Sequence, residues 1–177
     1  MSFNALMRAV KIISPAGIFL AGLLAFSGAA AQDSITNSRY ARMLERLLSH
    51  DVPEINVPSV ASLENPIFLD TRSGEEFAVS HLEGAVWAGY KEFSLERLNH
   101  IPKDRPMVVY CSVGYRSEKV TALLQEAGFQ NTYNLYGGIF EWVNQGKPVV
   151  DRNGPTGRVH GYNWFWGRWL TKGEVVY

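Results

Sequence analysis

The sequence predicts an α/β domain built on a parallel sheet that is flanked by helices. Short apolar segments rich in β-branched residues alternate with amphipathic segments through the middle of the chain, which is the order of strands joined by crossover helices. The chain has 177 residues, of which 46% are hydrophobic, enough to fill one core of ordinary size. Ligands of parallel sheets bind beyond the carboxyl ends of the strands, so the residues that follow each strand are the first candidates for a site.

The domain is expected between residues 57 and 150, with strands and helices in alternation. Short apolar or extended runs predict strands at 67–70, 85–88 and 107–110, and a further strand is expected near 132–135. The patterns between and after them predict helical segments at 74–80, 91–100, 117–127 and 139–144. In the third helix Val120, Leu123, Leu124 and Ala127 fall on one face. We expect that face to pack on the sheet.

Two extensions flank the predicted domain. Residues 32–56 include an amphipathic stretch at 38–50 that predicts a helix packed against its own domain. Residues 151–177 contain Trp164, Trp166 and Trp169, a density of aromatic rings that is not typical of a disordered tail. We expect this tail to fold back over the domain and bury its rings; a lid over the active-site pocket, a dimer contact and a membrane-interface anchor are the alternatives.

The first 31 residues have the pattern of a secretory signal peptide. Arg8 and Lys11 precede a mostly apolar run, and three alanines stand before Gln32 as a cleavage site. The pattern predicts a periplasmic or secreted protein. The alternative is an uncleaved anchor, because residues 12–31 are nearly long enough to span a bilayer, and membrane contact is expected only in that case.

Charge and cysteine content narrow the possible functions. The chain carries 17 basic and 17 acidic side chains; without the two bases of the leader the count is 15 against 17, or −2. This balance does not suggest a nucleic-acid partner. A single cysteine, Cys111, permits neither an intramolecular disulfide nor a cysteine-based metal cluster. We expect no metal and no organic cofactor.

Cys111 follows the predicted strand at 107–110 and begins a tight turn into the next helix. Backbone N–H groups of residues 112–117 can converge on its sulfur, with Gly114 supplying the freedom that such a turn needs. The helix N-terminus and the cation Arg116 would lower the pKa of the thiol and make it nucleophilic at neutral pH. The alternative is a buried structural cysteine.

Three segments resemble the motifs of rhodanese-like sulfurtransferases. LDTRSGEEFAVSHLEGA, at residues 69–85, is similar to the first family signature, VVYCSVGYRS, at 108–117, to the active-site loop, and NLYGGIFEW, at 134–142, to the closing motif. The resemblance implies a rhodanese-like three-layer fold. It also implies that Cys111 takes the sulfane sulfur of a small donor such as thiosulfate, holds it as a persulfide, and passes it to a thiophilic acceptor. A protein acceptor is the alternative to a small molecule.

The resemblance also assigns roles to individual residues. Cys111 and Arg116 are the catalytic residues that it implies. The expected substrate-binding residues belong to the same loop: Ser112, Val113, Gly114, Tyr115 and Ser117. Asp70 and Arg72 are expected to support the loop, or to form a structural ion pair. Glu76 is expected to pair with a neighbouring base, and His81 to hold backbone carbonyls.

The cysteine loop also separates the alternative functions. Phosphatases and arsenate reductases that share this fold use a loop one residue longer, so the loop from Cys111 to Arg116 favours sulfur transfer. A sulfur-carrier or docking module that acts on a partner protein stays open as a different class.

Many family members that use thiosulfate well have a cation where this chain has Ser112. We therefore expect this protein to bind thiosulfate weakly. If the side chain at position 112 points into the mouth of the pocket, Ser112→Arg should strengthen that binding.

Overall fold

A five-stranded parallel sheet forms the centre of the computed structural model, which describes residues 35–177. Its strands are β1 (Glu54–Ile55), β2 (Ile67–Asp70), β3 (Val86–Trp87), β4 (Met107–Tyr110) and β5 (Thr132–Leu135). Their order across the sheet is β1-β5-β4-β2-β3. All four residues of the central strand β4 are fully buried, as expected for a parallel strand covered on both faces.

Helices lie on both faces of this sheet. They are α1 (Ser38–Leu47), α2 (Gly74–Val79), α3 (Tyr115–Glu126), α4 (Gly138–Asn144) and α5 (Trp164–Gly167), with short 3-10 turns at Pro58–Ser62 and Leu95–Leu98. The last part of the chain adds two small two-stranded sheets. One pairs β6 (Val149–Asp151) with β7 (Gly154–Thr156), and the other pairs β8 (Arg158–His160) with β9 (Glu174–Val176).

The alternation of side chains along β4 separates two hydrophobic cores. Met107 and Val109 point to the face covered by α3, where they join Leu124. Val108 and Tyr110 point to the opposite face, which is packed by residues of α1 and α4. Successive strand residues alternate between faces, so one short strand supports both cores. The three-layer α/β architecture predicted from the sequence is confirmed.

The predicted helix at 91–100 is wrong. Only the 3-10 turn at Leu95–Leu98 forms there, and the Ser94 side chain makes no capping hydrogen bond to it. Leu98 is buried whereas Leu95 is 38% exposed. A single turn is enough to bury the one leucine that the core accepts, so tertiary packing does not require a longer helix.

The predicted buried face of α3 is also partly wrong. Val120 and Leu124 are buried, but Leu123 is 45% exposed. The buried stripe is instead completed by two polar residues, Ser117 and Thr121, whose hydroxyls hydrogen-bond within the helix and to Asn134. Because these hydroxyls find buried partners, they can occupy the face that hydrophobic spacing assigned to leucine.

The N-terminal extension is part of the folded unit. β1 pairs with β5 at the edge of the sheet, so the sheet already begins ahead of the predicted boundary at residue 57. Tyr40 and Leu44 of α1 are fully buried. The Tyr40 ring stacks on Trp169 of the tail at a centroid distance of 5.4 Å. The two extensions therefore pack against each other as well as against the domain.

The tail buries only some of its aromatic rings. Trp166 and Trp169 pack against the core formed with α1 and α4. Tyr162, Trp164 and Phe165 are 51%, 77% and 53% exposed, so the expectation that the tail buries its rings is wrong for these three. The helix α5 is a single turn, and a single turn can present only one side to the domain.

The predicted leader, residues 1–31, lies outside the described residues. Among residues 35–177 no helix has the length and apolar composition needed to span a bilayer.

Candidate active site

Cys111 lies directly beyond the carboxyl end of β4, at the start of the loop that leads into α3. Its side chain is almost completely buried, with 1% of the residue exposed. Gly114, which caps α3 in a left-handed conformation (φ +111°), donates its N–H to the Cys111 Sγ at 3.2 Å. The strand, the turn and the helix thus place the sulfur against backbone donors.

The surroundings of Cys111 favour its thiolate form. Burial alone would raise the pKa of the Cys111 thiol, but the positive charge of Arg116 and the N–H and O–H groups of Ser117 outweigh it, with help from the Val113 N–H. The pKa of the thiol therefore lies below its ordinary value. A thiolate is the nucleophilic form of cysteine, so this environment activates Cys111.

A bidentate ion pair fixes Arg116 beside this sulfur. The two terminal guanidinium nitrogens of Arg116 donate to the two carboxylate oxygens of Glu76 at 2.7 and 2.8 Å. The Ser112 hydroxyl joins the pair, donating to Glu76 Oε1 at 2.9 Å and accepting from Arg116 at 3.0 Å. Planar bidentate pairs of this kind have a defined orientation, so Glu76 determines where the cation lies.

Glu76 performs this task from the first turn of α2. Its backbone N–H is capped by the Ser73 hydroxyl, and its carboxylate accepts the Ser73 N–H at 3.0 Å. Burial would raise the pKa of Glu76, but the hydrogen bonds and charge of Arg116 and the Ser73 N–H lower it to about 2. The sequence indicates that Glu76 pairs with a neighbouring basic residue. In the structure that residue is Arg116 of the cysteine loop.

The hydroxyl of Ser112 is directed to this ion pair. Only 4% of Ser112 is exposed, and both of its side-chain hydrogen bonds go to Glu76 and Arg116. An arginine at this position would meet the Arg116 cation rather than open solvent. Ser112 thus lies against the Glu76–Arg116 ion pair at the edge of the cleft, and the expected effect of Ser112→Arg on thiosulfate binding stays a prediction.

The start of α4 holds the cysteine loop from the other side. Ile139 N–H donates to the Cys111 carbonyl at 2.9 Å and Phe140 N–H to the Ser112 carbonyl at 3.1 Å. Gly138 has φ +58°, and a Cβ at this position would lie 2.5 Å from the Cys111 carbonyl oxygen. Only glycine allows so close an approach, so the closing motif acts as a backbone clamp on the loop.

Asp70 and Arg72 form the structural ion pair that the sequence left as an alternative. Both side chains are fully buried, and the Arg72 Nη2 lies 2.6 Å from Asp70 Oδ2. The same guanidinium donates to the Ser80 carbonyl, which ties the end of β2 to the end of α2. Neither side chain lines the cleft described below. His81 acts similarly, with its ring Nδ1 3.0 Å from the Phe77 carbonyl.

A cleft of about 1010 Å³ opens above the cysteine loop. Five residues of the loop line it: Cys111, Ser112, Val113, Tyr115 and Arg116. Gly114 and Ser117, which are also expected to bind substrate, do not line the cleft. The Ser117 hydroxyl donates to Asn134 Oδ1 at 2.7 Å, and the Gly114 N–H donates to the Cys111 sulfur. The structure thus separates residues that face the cleft from residues that support it.

Residues far from the motifs complete the walls of the cleft. Leu47 of α1 lines it from the N-terminal extension, and His160, Tyr162 and Trp166 line it from the tail. The Tyr162 ring covers the Arg116 guanidinium at 5.2 Å. Spacing within the sequence gives no signal for these positions, because both extensions reach the cleft only through tertiary packing.

The geometry defines an α/β domain with a reactive cysteine at its candidate active site. Comparison with known proteins identifies the family of this domain. Residues 59–145 match the model of the rhodanese-like domain. A sulfurtransferase from Allochromatium vinosum is 34% identical over 95 residues, which cover 54% of this chain and 88% of that protein. The chain belongs to the rhodanese-like family, and the relatives support a sulfurtransferase-type activity.

Other relatives share only this domain. The tRNA uridine(34) hydroxylase of Photorhabdus laumondii is 36% identical over 99 residues, covering 49% of this chain but 28% of that one. Among solved structures, the rhodanese-like domain of an Anabaena protein has a TM-score of 0.52 at 23% identity, covering 56% of this chain and 79% of that one. A thiosulfate sulfurtransferase from Pseudomonas aeruginosa has a TM-score of 0.53 at 21% identity, covering 62% and 22%. These structures show the shared fold.

Proposed function

We propose that the protein transfers sulfane sulfur from a small donor to a thiophilic acceptor through a persulfide on Cys111. The observation that carries the proposal is the position of the Cys111 thiol. It lies at the base of an open cleft, its pKa is lowered, and a backbone donor contacts its sulfur. Family membership supports the same chemistry.

With thiosulfate as donor, the Cys111 thiolate attacks the outer sulfur. A bond forms between the two sulfurs, the sulfur–sulfur bond of thiosulfate breaks, and sulfite leaves with the electron pair. The Cys111 persulfide is an anion, and the Gly114 N–H and the Arg116 charge are placed to stabilise it. A nucleophilic acceptor then takes the outer sulfur and regenerates the thiolate.

Turnover with cyanide as acceptor tests the proposal. Cys111→Ser should abolish the formation of thiocyanate from thiosulfate and cyanide, because the hydroxyl cannot form a persulfide. The far-ultraviolet circular dichroism and the melting temperature should stay close to those of the natural protein. Thiocyanate formation by the Cys111→Ser variant would show that the activity does not depend on this residue.

A sulfur carrier dedicated to a partner protein is the second candidate. The cleft of about 1010 Å³ has more room than a small acceptor such as cyanide fills, and this observation supports a protein acceptor as the second candidate. The two are distinguished by the acceptor: a free enzyme turns over rapidly with cyanide or small thiols, whereas a dedicated carrier forms the persulfide but releases it slowly to them.

We also propose that the protein acts outside the cytoplasm after removal of residues 1–31. The proposal is supported by the arrangement of charges, apolar residues and alanines in the sequence. N-terminal sequencing of protein recovered from a bacterial periplasm should find a start near Gln32. An intact N-terminus in washed membranes would instead identify an anchor.

A further inference from the structure

The two extensions complete the active-site cleft. The family model ends at residue 145 and begins at residue 59, yet Leu47, Tyr162 and Trp166 line the same cleft as Cys111. The stack of Tyr40 on Trp169 joins the two extensions to each other. The two extensions are thus packed parts of the fold, and they form part of the wall of the cleft.

The tail presents Tyr162 to the cleft in a defined conformation. Tyr162 has φ +64°, an uncommon backbone conformation for an aromatic residue. Its N–H donates to His160 Nδ1 at 3.0 Å, and its ring covers Arg116 at 5.2 Å. Half of the residue nevertheless stays exposed. The ring is therefore held beside the reactive loop while part of its surface is available to a ligand.

The lining of the cleft is largely apolar and aromatic. Six such side chains contribute to it: Leu47, Tyr90, Val113, Tyr115, Tyr162 and Trp166. Clefts of roughly 300–1,000 Å³ enclose drug-sized organic molecules, and this cleft of about 1010 Å³ is at the upper end of that range. A small inorganic anion would leave these rings without a partner.

The charges of the cleft do not favour a dianion. Its carboxylates are Glu75, Glu76 and Glu92, and its lysine and arginine cations are Lys91 and Arg116. The Arg116 charge is offset by its bidentate pair with Glu76. A doubly charged ligand would find no surplus of positive charge to compensate the loss of its hydration.

We infer that the cleft binds an organic sulfane-sulfur compound with an aromatic or apolar body, and that Tyr162 selects for that body. The inference rests on the proposed sulfur transfer and names its donor class. The Cys111 thiolate attacks the terminal sulfur of the donor. A sulfur–sulfur bond forms at Cys111, the donor's own bond to that sulfur breaks, and the organic leaving group departs with the electron pair.

Two donors with the same reactive group test this selectivity. Benzenethiosulfonate and methanethiosulfonate are both monoanions that transfer their terminal sulfur and release a sulfinate; they differ in the body that the cleft would contact. The measured quantity is kcat/KM for each donor with cyanide as acceptor. The ratio of the two values cancels any general effect of a variant on the chemical step.

Tyr162→Ala should lower the benzene-to-methane ratio about threefold to tenfold, the range expected from loss of one aromatic contact. Tyr162→Phe keeps the ring and should retain the natural ratio. Trp164→Ala is the matched control, because Trp164 belongs to the same segment, is 77% exposed and does not line the cleft. It should also leave the ratio unchanged.

An unchanged ratio in Tyr162→Ala overturns the inference but leaves the proposed function standing. An equal fall in Trp164→Ala also overturns it, because the effect would then be a general property of the tail. If neither donor yields thiocyanate above the level of Cys111→Ser, the proposed function and the inference fail together.

Discussion

At the residue scale, Glu76 connects several parts of the site, because its carboxylate bonds to Ser73, Ser112 and Arg116. One carboxylate orients Arg116, accepts the Ser112 hydroxyl and closes the capping box of α2 with Ser73. It connects the start of a helix to the cysteine loop across the base of the cleft. The stability of α2 and the electrostatics of the cysteine are therefore coupled through one side chain.

The low pKa of Glu76 predicts a pH dependence of stability. Because the pKa is about 2 in the folded protein and near 4.3 in an unfolded chain, the carboxylate stabilises the fold above the unfolded value. This stabilisation is lost as the pH falls toward 2, and a shift of this size corresponds to roughly 3 kcal/mol. Denaturant titrations of the natural protein and of Glu76→Gln should differ at pH 7 and converge near pH 2.

Glu83→Gln is the control for this experiment, because Glu83 is an exposed carboxylate outside the network. Its free energy of unfolding should follow that of the natural protein within about 0.5 kcal/mol across the range. If Glu76→Gln also follows the natural protein at neutral pH, the ion pair does not stabilise the fold.

Arg116 is expected to tune the reactivity of Cys111. Since its positive charge lowers the pKa of the thiol, replacing it with methionine should raise that pKa. The rate of alkylation by iodoacetamide should then rise with pH along a curve displaced to higher pH. Lys119→Met removes a half-buried cation that pairs with Glu118, one turn further along α3, and should leave the curve in place. Coincident curves for Arg116→Met and the natural protein would contradict this role.

At the scale of elements, the junction between α4 and the cysteine loop is the tightest contact of the site. Gly138→Ala should place a methyl group against the Cys111 and Ser112 carbonyls, at 2.5 and 2.6 Å. We expect a loss of more than about 2 kcal/mol in the free energy of unfolding, together with a lower kcat/KM because the loop must shift. Denaturant titration and thiocyanate formation measure the two effects.

Gly84→Ala separates backbone strain from the steric effect. Gly84 also has a positive φ, of 71°, but a Cβ there would meet nothing within 4 Å. Its cost should be about 1 kcal/mol, the penalty of the left-handed conformation alone, with activity retained. Equal losses for the two variants would mean that the close approach of α4 has no special part in shaping the site.

The sequence predicts the strands of the central sheet, but it does not predict features that depend on which residues pack together in the folded chain. The strands at 67–70, 107–110 and 132–135 have the predicted bounds. Those at 67–70 and 107–110 follow from apolar runs, which are typical of buried parallel strands, whereas the third reads TYNL and buries the polar residue Asn134. The exposure of Leu123 and the loss of the helix at 91–100 could not be predicted, since each depends on which side chains the core accepts. The pairing of Arg116 with Glu76 joins residues 40 positions apart, and local spacing carries no signal for it.

At the scale of the whole molecule, the two extensions contact each other as well as the domain. The Tyr40 ring stacks on Trp169, and the Tyr40 hydroxyl donates to the Gly137 carbonyl at 2.8 Å. Gly137 directly precedes α4, which clamps the cysteine loop. Packing of the extensions is thereby linked to the position of the reactive sulfur.

Trp169→Ala should reveal this contact. The loss of a ring that packs on the core and stacks on Tyr40 should lower the free energy of unfolding by about 3 kcal/mol. Trp164→Ala should change it by less than about 0.5 kcal/mol, because that ring is 77% exposed. Thermal or denaturant unfolding measures both. A small effect of Trp169→Ala would show that the tail is not an integral part of the fold.

Mass spectrometry of the purified protein tests the central claim most directly. After incubation with a sulfane-sulfur donor and removal of the excess, the peptide that contains Cys111 should gain the mass of one sulfur atom. The added mass should disappear on treatment with cyanide, and thiocyanate should form in equal amount. A Cys111 peptide that stays unmodified in the natural protein with both thiosulfate and benzenethiosulfonate would contradict the persulfide mechanism.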